Sequence, residues 1–262
     1  MNYIVIALVC FFSSVIGSVC GIGGGVIIKP VLDAMGMMAV TTISFLSGCT
    51  VLSMSVVSLY KSKKAKQDFI FDQTFATVLA VGGAAGGIAG KEFYQTILNH
   101  LPNHSQVGAI QAAVLMLVTA GTFIYTIVKE RIHSKHLKNK PLTFSIGIAL
   151  GIISSFLGIG GGPINLAVLF YCCSMTAKEA AMYSIYIIMF SQISSLACTL
   201  IRGTTPPFHP AALVLMILCG SLGGLTGSRL NRKLDDHMVE ILFMGVMGII
   251  ICINIYNIFR YW

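Results

Sequence analysis

Long runs without a single Asp, Glu, Lys or Arg dominate the chain: 1–28, 34–60, 73–90, 93–128, 142–177, 180–201, 203–228 and 241–259. A helix needs about 20 consecutive apolar residues to cross the hydrocarbon core of a bilayer. Six runs read as single spans, at roughly 40–60, 73–92, 105–128, 180–201, 210–230 and 239–259. None alternates with period two, which excludes a transmembrane β-barrel. The pattern predicts an all-α polytopic membrane protein.

The runs 1–28 and 142–177 differ from the rest. Each is interrupted by Gly-Ile-Gly-Gly-Gly, at 21–25 and at 158–162. Each glycine costs about 1 kcal/mol in a helix interior, so neither cluster sits comfortably inside one. Pro163 follows the second cluster, and proline favours the first turn of a helix. Each run therefore reads as half-helix, glycine break, half-helix.

The two clusters are 137 residues apart, and the offset holds without a gap. Ser18 falls on Ser155, Ser47 on Ser184 and Ser58 on Ser195, while Gly83, Gly86, Gly87 and Gly90 fall on Gly220, Gly223, Gly224 and Gly227. Chance aligns apolar letters, but not this many glycines in register. The chain reads as a duplication: membrane repeat 1 over 1–128, a basic linker over 129–140, and membrane repeat 2 over 141–262. If each broken segment is a hairpin, a repeat has three full spans, an odd number, and the repeats are inverted. With the amino terminus outside, 13 basic residues then lie inside and 4 outside. Full crossing by the broken segments, which makes the repeats parallel, splits them 11 to 6 at best. Cytoplasmic loops retain basic residues, so the inverted arrangement is favoured and the linker is expected to be cytoplasmic.

Composition sharpens this picture. Hydrophobic residues make up 56% and charged residues 10% of the 262, against about 25% charged in a soluble chain. The net charge of +8 comes from loop lysines and arginines. No basic stretch is interleaved with aromatics, so nucleic acid is not expected as a partner. The eight cysteines lie in apolar stretches with no CxxC pair, and neither a metal site nor any other cofactor is expected. No Lys or Arg precedes Lys29, so the basic start of a signal peptide is missing and 1–28 is expected to remain in the mature protein.

Glycine breaks at membrane depth expose backbone N–H groups, which is tolerated only against protein or a polar cavity. A half-helix that starts at a break also points its positive end there, and unpaired N–H groups at such an end attract anions. Transporters with inverted repeats use such breaks as midplane substrate sites. The candidate substrate-binding residues are therefore Gly21, Gly23, Gly24 and Gly25, with Gly158, Gly160, Gly161 and Gly162. Asn165 falls in the first turn after Pro163, and Ser18 and Ser155 lie three residues before the clusters. Ser47, Ser184, Ser191 and Gln192, on the next helices, are candidates to line the cavity. Lys29 and Asp33, one helical turn apart, read as a pair, with Lys29 as a lesser candidate for anion contact. The regular glycines of 82–90 and 220–227 read instead as helix-packing positions.

The chain resembles the sulfite exporter TauE/SafE family. The resemblance rests on Gly17-Ser-Val-Cys-Gly-Ile-Gly-Gly-Gly25, on Ser154-Ser-Phe-Leu-Gly-Ile-Gly-Gly-Gly-Pro-Ile-Asn165 and on the later glycine-rich segments. Repeat 1 departs from the fuller pattern, with Val26 and Ile28 where repeat 2 has Pro163 and Asn165. The resemblance implies secondary transport of a small sulfur-containing anion, such as sulfite or a sulfonate, across the cell membrane, with export as the usual direction. Uptake and a passive anion channel are the alternatives. An intramembrane enzyme is not supported: the histidines fall in loops or at span ends, and no span carries HExxH or paired carboxylates. The expected partners are the anion and the lipid bilayer, and the oligomeric state stays open, with a homodimer as one option.

Overall fold

The computed structural model describes residues 2–63, 72–100, 104–129, 139–159 and 161–261. These residues form ten helices and no strand. Repeat 1 contributes α1 (Tyr3–Cys20), α2 (Gly25–Ala34), α3 (Val40–Lys63), α4 (Gln73–His100) and α5 (His104–Val128). Repeat 2 contributes α6 (Lys140–Leu157), α7 (Gly162–Cys173), α8 (Ala177–Ile201), α9 (Pro210–Lys233) and α10 (Asp236–Tyr261). The first four helices of the two sets begin 137 residues apart: 3 and 140, 25 and 162, 40 and 177, 73 and 210.

Eight of the helices are long and apolar enough to cross a membrane. They include α1 and α6, which the sequence pattern reads as half-depth. At 18 residues each and 1.5 Å per residue they reach about 27 Å, nearly the full hydrocarbon thickness. The short members are α2 and α7, with 10 and 12 residues. Large apolar side chains face outward, as a lipid-facing surface requires. Ile4, Leu8 and Phe12 recur on one face of α1 with 73%, 52% and 57% of their surface exposed.

Both first helices end alike, on a glycine in the left-handed conformation: Gly21 at φ 76° and Gly158 at φ 66°. That conformation costs glycine little and other residues about 1 kcal/mol or more. The chain then folds back. Gly24 lies on Ser13 and Ser14, and Ile28 and Leu32 share a buried cluster with Ile6 and Cys10. In repeat 2, Val168, Leu169 and Cys172 of α7 line a small cavity with Thr143 and Ile146 of α6.

The two sets interlock rather than sit side by side. α4 packs along α6 as α9 packs along α1, and α3 lies on α9 as α8 lies on α4. The regular glycines make these approaches possible. A Cβ on Gly86 would stand 2.1 Å from the Ile148 carbonyl oxygen, and one on Gly227 would stand 2.4 Å from that of Val15. Corresponding helices also meet, and they run antiparallel. Lys129, just past the end of α5, pairs at 2.5 Å with Glu240 near the start of α10. Gln111 near the start of α5 shares a cavity with Asn254 and Asn257 near the end of α10. On α3 and α8, Ser44 and Phe45 share a cavity with Ser195 and Thr199, while Ser58 and Leu59 share another with Ala181 and Met182.

Candidate functional site

The two glycine breaks meet. A Cβ on Gly25 would stand 2.7 Å from the Ile159 carbonyl oxygen, and one on Gly162 would stand 2.5 Å from Val26 Cγ2 and 3.6 Å from the Ile22 carbonyl oxygen. Gly23 also faces Ile159, at 3.7 Å from its carbonyl oxygen by the same measure. Ile22 and Ile159 are themselves fully buried. Side chains larger than hydrogen at these glycines would separate the loops, so the sequence places backbone against backbone where the repeats join.

Two serines hold the breaks from opposite repeats. Ser184 Oγ donates to the Gly21 carbonyl at 2.6 Å, and Ser47 Oγ lies 3.3 Å from the Gly158 carbonyl and 3.1 Å from that of Ser44. Each carbonyl belongs to the left-handed residue that ends α1 or α6, and helix ends leave carbonyls without intrahelical partners. Asn165 joins the arrangement through Nδ2, 3.4 Å from Ser184 Oγ, and its amide covers the backbone of Gly161. Its Oδ1 is buried without a hydrogen-bond partner. Gly161 has φ 106°, outside what a β-carbon tolerates. Gly160 lies outside the described residues. Among the amides of break 1, those of Val26, Ile27 and Ile28 already bond the Gly23 and Gly24 carbonyls.

Lys29 of α2 reaches across to repeat 2. Its ammonium donates to the Leu157 carbonyl at 2.5 Å and to Gln111 Oε1 at 2.7 Å, and the residue is 5% exposed. Gln111 Nε2 in turn donates to the Phe156 carbonyl at 2.6 Å. A cation at the carbonyl end of α6 matches the negative end of that helix. Position alone did not mark Gln111 as its partner, because it lies 82 residues away.

Two polar cavities flank the paired breaks. The larger, about 300 Å³, has Ser18 and Ser58 in its wall and is ringed by Thr176, Lys178, Asn231, Arg232 and Asp236. Ser18 Oγ and Ser58 Oγ are 2.8 Å apart. The smaller, about 20 Å³, is lined by Ser44, Lys91, Tyr94, Ser155, Gly158 and Gln192 among others. These two cavities correspond through the repeat. Ser18, Ser58, Leu59, Ser62, Ala181 and Met182 of the first become, at the offset of 137, Ser155, Ser195, Leu196, Thr199, Ser44 and Phe45 of the second. A third cavity of about 480 Å³, between Asp33, Thr41, Val107 and Arg260, shares Tyr94 with the smaller polar one.

The residues anticipated from sequence thus separate into groups. Gly23, Gly25 and Gly162 build the junction of the breaks, while Gly21 lies against Ala181, Gly24 against Ser13 and Ser14, and Gly161 under Asn165; Ser47, Ser184 and Asn165 brace the arrangement. Ser18 faces the larger cavity, while Ser155, Gln192 and Gly158 face the smaller. Ser191 bonds Ser154 at 3.5 Å. Sequence reasoning passed over Lys91, Tyr94 and Ser44, whose proximity to Ser155 depends on the packing of α3 and α4 against repeat 2.

The sequence model of a family described as Sulfite exporter TauE/SafE matches residues 6–254. The probable membrane transporter protein YunE of Bacillus subtilis is 22% identical over 98% of both chains. A probable membrane transporter protein of Methanocaldococcus jannaschii is 23% identical over 92% of this chain and 91% of its own. The probable membrane transporter protein MamO of Magnetospirillum gryphiswaldense is 26% identical over 40% of this chain and 17% of its own length. No solved structure matches.

Proposed function

The chain belongs to the sulfite exporter TauE/SafE family, a multi-pass membrane transporter and not an enzyme, and from that premise we propose that it carries a small sulfur-containing anion by alternating access between inverted repeats. The observation that carries this reading is the pair of corresponding cavities, about 300 Å³ and about 20 Å³. Equivalent residues line both, yet one holds about 300 Å³ and the other about 20 Å³. Exchange of the two repeat conformations opens the second and closes the first, around the meeting point of the breaks. Antiparallel packing of α3 on α8 and of α5 on α10 supports inversion, because equivalent helices of parallel repeats run the same way.

In this reading the larger cavity faces the cytoplasm, with Lys178 and Arg232 at its rim. The breaks and Asn165 form the junction past which the anion moves, with Ser18 on one side and Ser155 and Gln192 on the other. Export follows from the membrane potential, which favours exit of an anion by about 2.3 kcal/mol per charge per 100 mV.

Reconstitution into proteoliposomes tests the proposal. Vesicles preloaded with unlabelled sulfite are expected to accumulate labelled sulfite transiently by counterflow, with a saturable rate. Unsaturable flux without counterflow would identify a channel. Counterflow of a cation or a neutral solute, and none of sulfite or a sulfonate, would overturn the anion reading.

A further inference from the structure

The geometry points to an oxyanion subsite in the smaller cavity, made by Lys91, Tyr94, Ser44, Ser155 and Gln192, with Tyr94 as the wall between it and the 480 Å³ vestibule. The inference rests on the anion-transport reading and names the substrate chemistry and the residues that recognise it. It begins from four buried polar atoms without hydrogen-bond partners: Ser44 Oγ, Tyr94 OH, Ser155 Oγ and Gln192 Nε2. Tyr94, Ser155 and Gln192 are 4%, 3% and 3% exposed. Leaving a buried polar group without a hydrogen bond is costly, and native structures hold few such groups. Here four line one cavity, and each of the four groups can donate a hydrogen bond.

Charge points the same way. The Lys91 ammonium lies 5.2 Å from the centre of the Tyr94 ring, in the same wall. Lys29 stands behind Gln111, which also lines the cavity. Among the described residues no carboxylate lines it. Glu92, next to Lys91 in sequence, pairs instead with Arg202 at 2.5 Å. Hydroxyl, phenol and amide donors around a cation, with no carboxylate among the described lining residues, suit a small oxyanion and offer a ligand ammonium no opposite charge.

The cavity is now only large enough for about one water, so the anion enters as the wall formed by Tyr94 moves. In the corresponding place of the larger cavity repeat 2 has Asn231, which donates to the Val19 carbonyl at 2.6 Å. The two cavities are therefore lined by equivalent positions and differ in recognition: the smaller has Lys91 and Tyr94 where the larger has Ser228 and Asn231.

The test is ligand binding to the purified full chain in nanodiscs, by thermal shift and calorimetry, with sulfite, methanesulfonate and taurine as probes. Sulfite and methanesulfonate are expected to protect the parent protein. Taurine, whose ammonium has no carboxylate to meet, is expected not to. Lys91→Gln should weaken sulfite binding about ten- to a hundredfold, and Tyr94→Phe about three- to tenfold. Lys91→Arg keeps the charge and should stay within about threefold of the parent, as should Lys140→Gln, which removes an exposed charge elsewhere. Unchanged affinity in both Lys91→Gln and Tyr94→Phe, with the parent binding sulfite, would overturn the subsite and leave the transport reading standing. Equal losses in Lys91→Gln and Lys140→Gln, or taurine binding as tightly as methanesulfonate, would also overturn the subsite. A parent protein that binds no sulfur oxyanion would overturn both.

Discussion

Gly25→Ala isolates the contact on which the paired-break geometry rests. Gly25 opens α2 and does not have a positive φ, so alanine brings no backbone strain there. What it brings is volume. The new Cβ would stand 2.7 Å from the Ile159 carbonyl oxygen and 2.9 Å from Val51 Cγ2. Val51 can rotate, but the carbonyl is main chain in the opposite break and moves only with that loop. Overpacking of this kind costs about 1–3 kcal/mol. Replacing glycine recovers about 0.4–1 kcal/mol from the unfolded state, so at the middle of both ranges the steric effect wins by about 1.3 kcal/mol. At about 2–4 °C per kcal/mol that lowers Tm by roughly 3–5 °C. The protein should still insert, while sulfite counterflow falls at least tenfold because the breaks are held apart. Gly121→Ala and Gly245→Ala are the controls: no atom lies within 4 Å of either new Cβ, and alanine favours helix by about 0.5–1 kcal/mol. Thermal unfolding followed by tryptophan-independent scattering, with counterflow in parallel, reads both effects. If Gly25→Ala keeps full counterflow and a Tm within about 1 °C of the parent, the two breaks do not approach as described.

Three further outcomes are expected. Ser184→Ala leaves the buried Gly21 carbonyl without its 2.6 Å donor, so it should destabilise the protein by about 1–3 kcal/mol, measured as a shift in thermal midpoint; an unshifted midpoint would remove Ser184 as a brace. Asn165→Asp should weaken sulfite binding more than Asn165→Ala, because an ionised carboxylate at the buried junction repels an anion at low dielectric; tighter calorimetric affinity in the aspartate variant would exclude the junction from the anion path. Cysteines introduced at Ser62 and Asn139, in a chain otherwise free of cysteine, should react with an impermeant maleimide only from the cytoplasmic side, and one at Asn2 only from outside; Asn2 and Ser62 labelled from the same side would exclude the inverted arrangement.

Local chemistry determined much of this protein. Charge-free runs longer than a bilayer's thickness mark spans at any position, and glycine clusters interrupt helices whatever surrounds them. The helices and their breaks at the glycine clusters were therefore legible one residue at a time, as was the offset of 137 that relates α1 to α6 and α2 to α7. The exception was the depth of α1 and α6, which read as half-helices but at 18 residues are long enough to cross. Family membership was legible from the same motifs.

What the tertiary structure decided is which surfaces meet. Ser47 and Ser184 read as cavity residues in sequence; across the repeat interface their hydroxyls face the carbonyls that close α6 and α1. Lys29 read as a partner for Asp33 one turn away, and the two do interact electrostatically, but its ammonium also bonds Gln111 and the end of α6. Lys91 and Tyr94 carried no motif, and became candidates only because the glycines of α4 let that helix lie against α6 and bring them beside Ser155. Hydropathy and helix propensity act over a few residues of chain, whereas these hydrogen bonds join residues 82 to 163 positions apart. Their energy comes from groups that find each other only after the two repeats have interlocked, and that is why periodicity could place the helices but not the partners of their polar side chains.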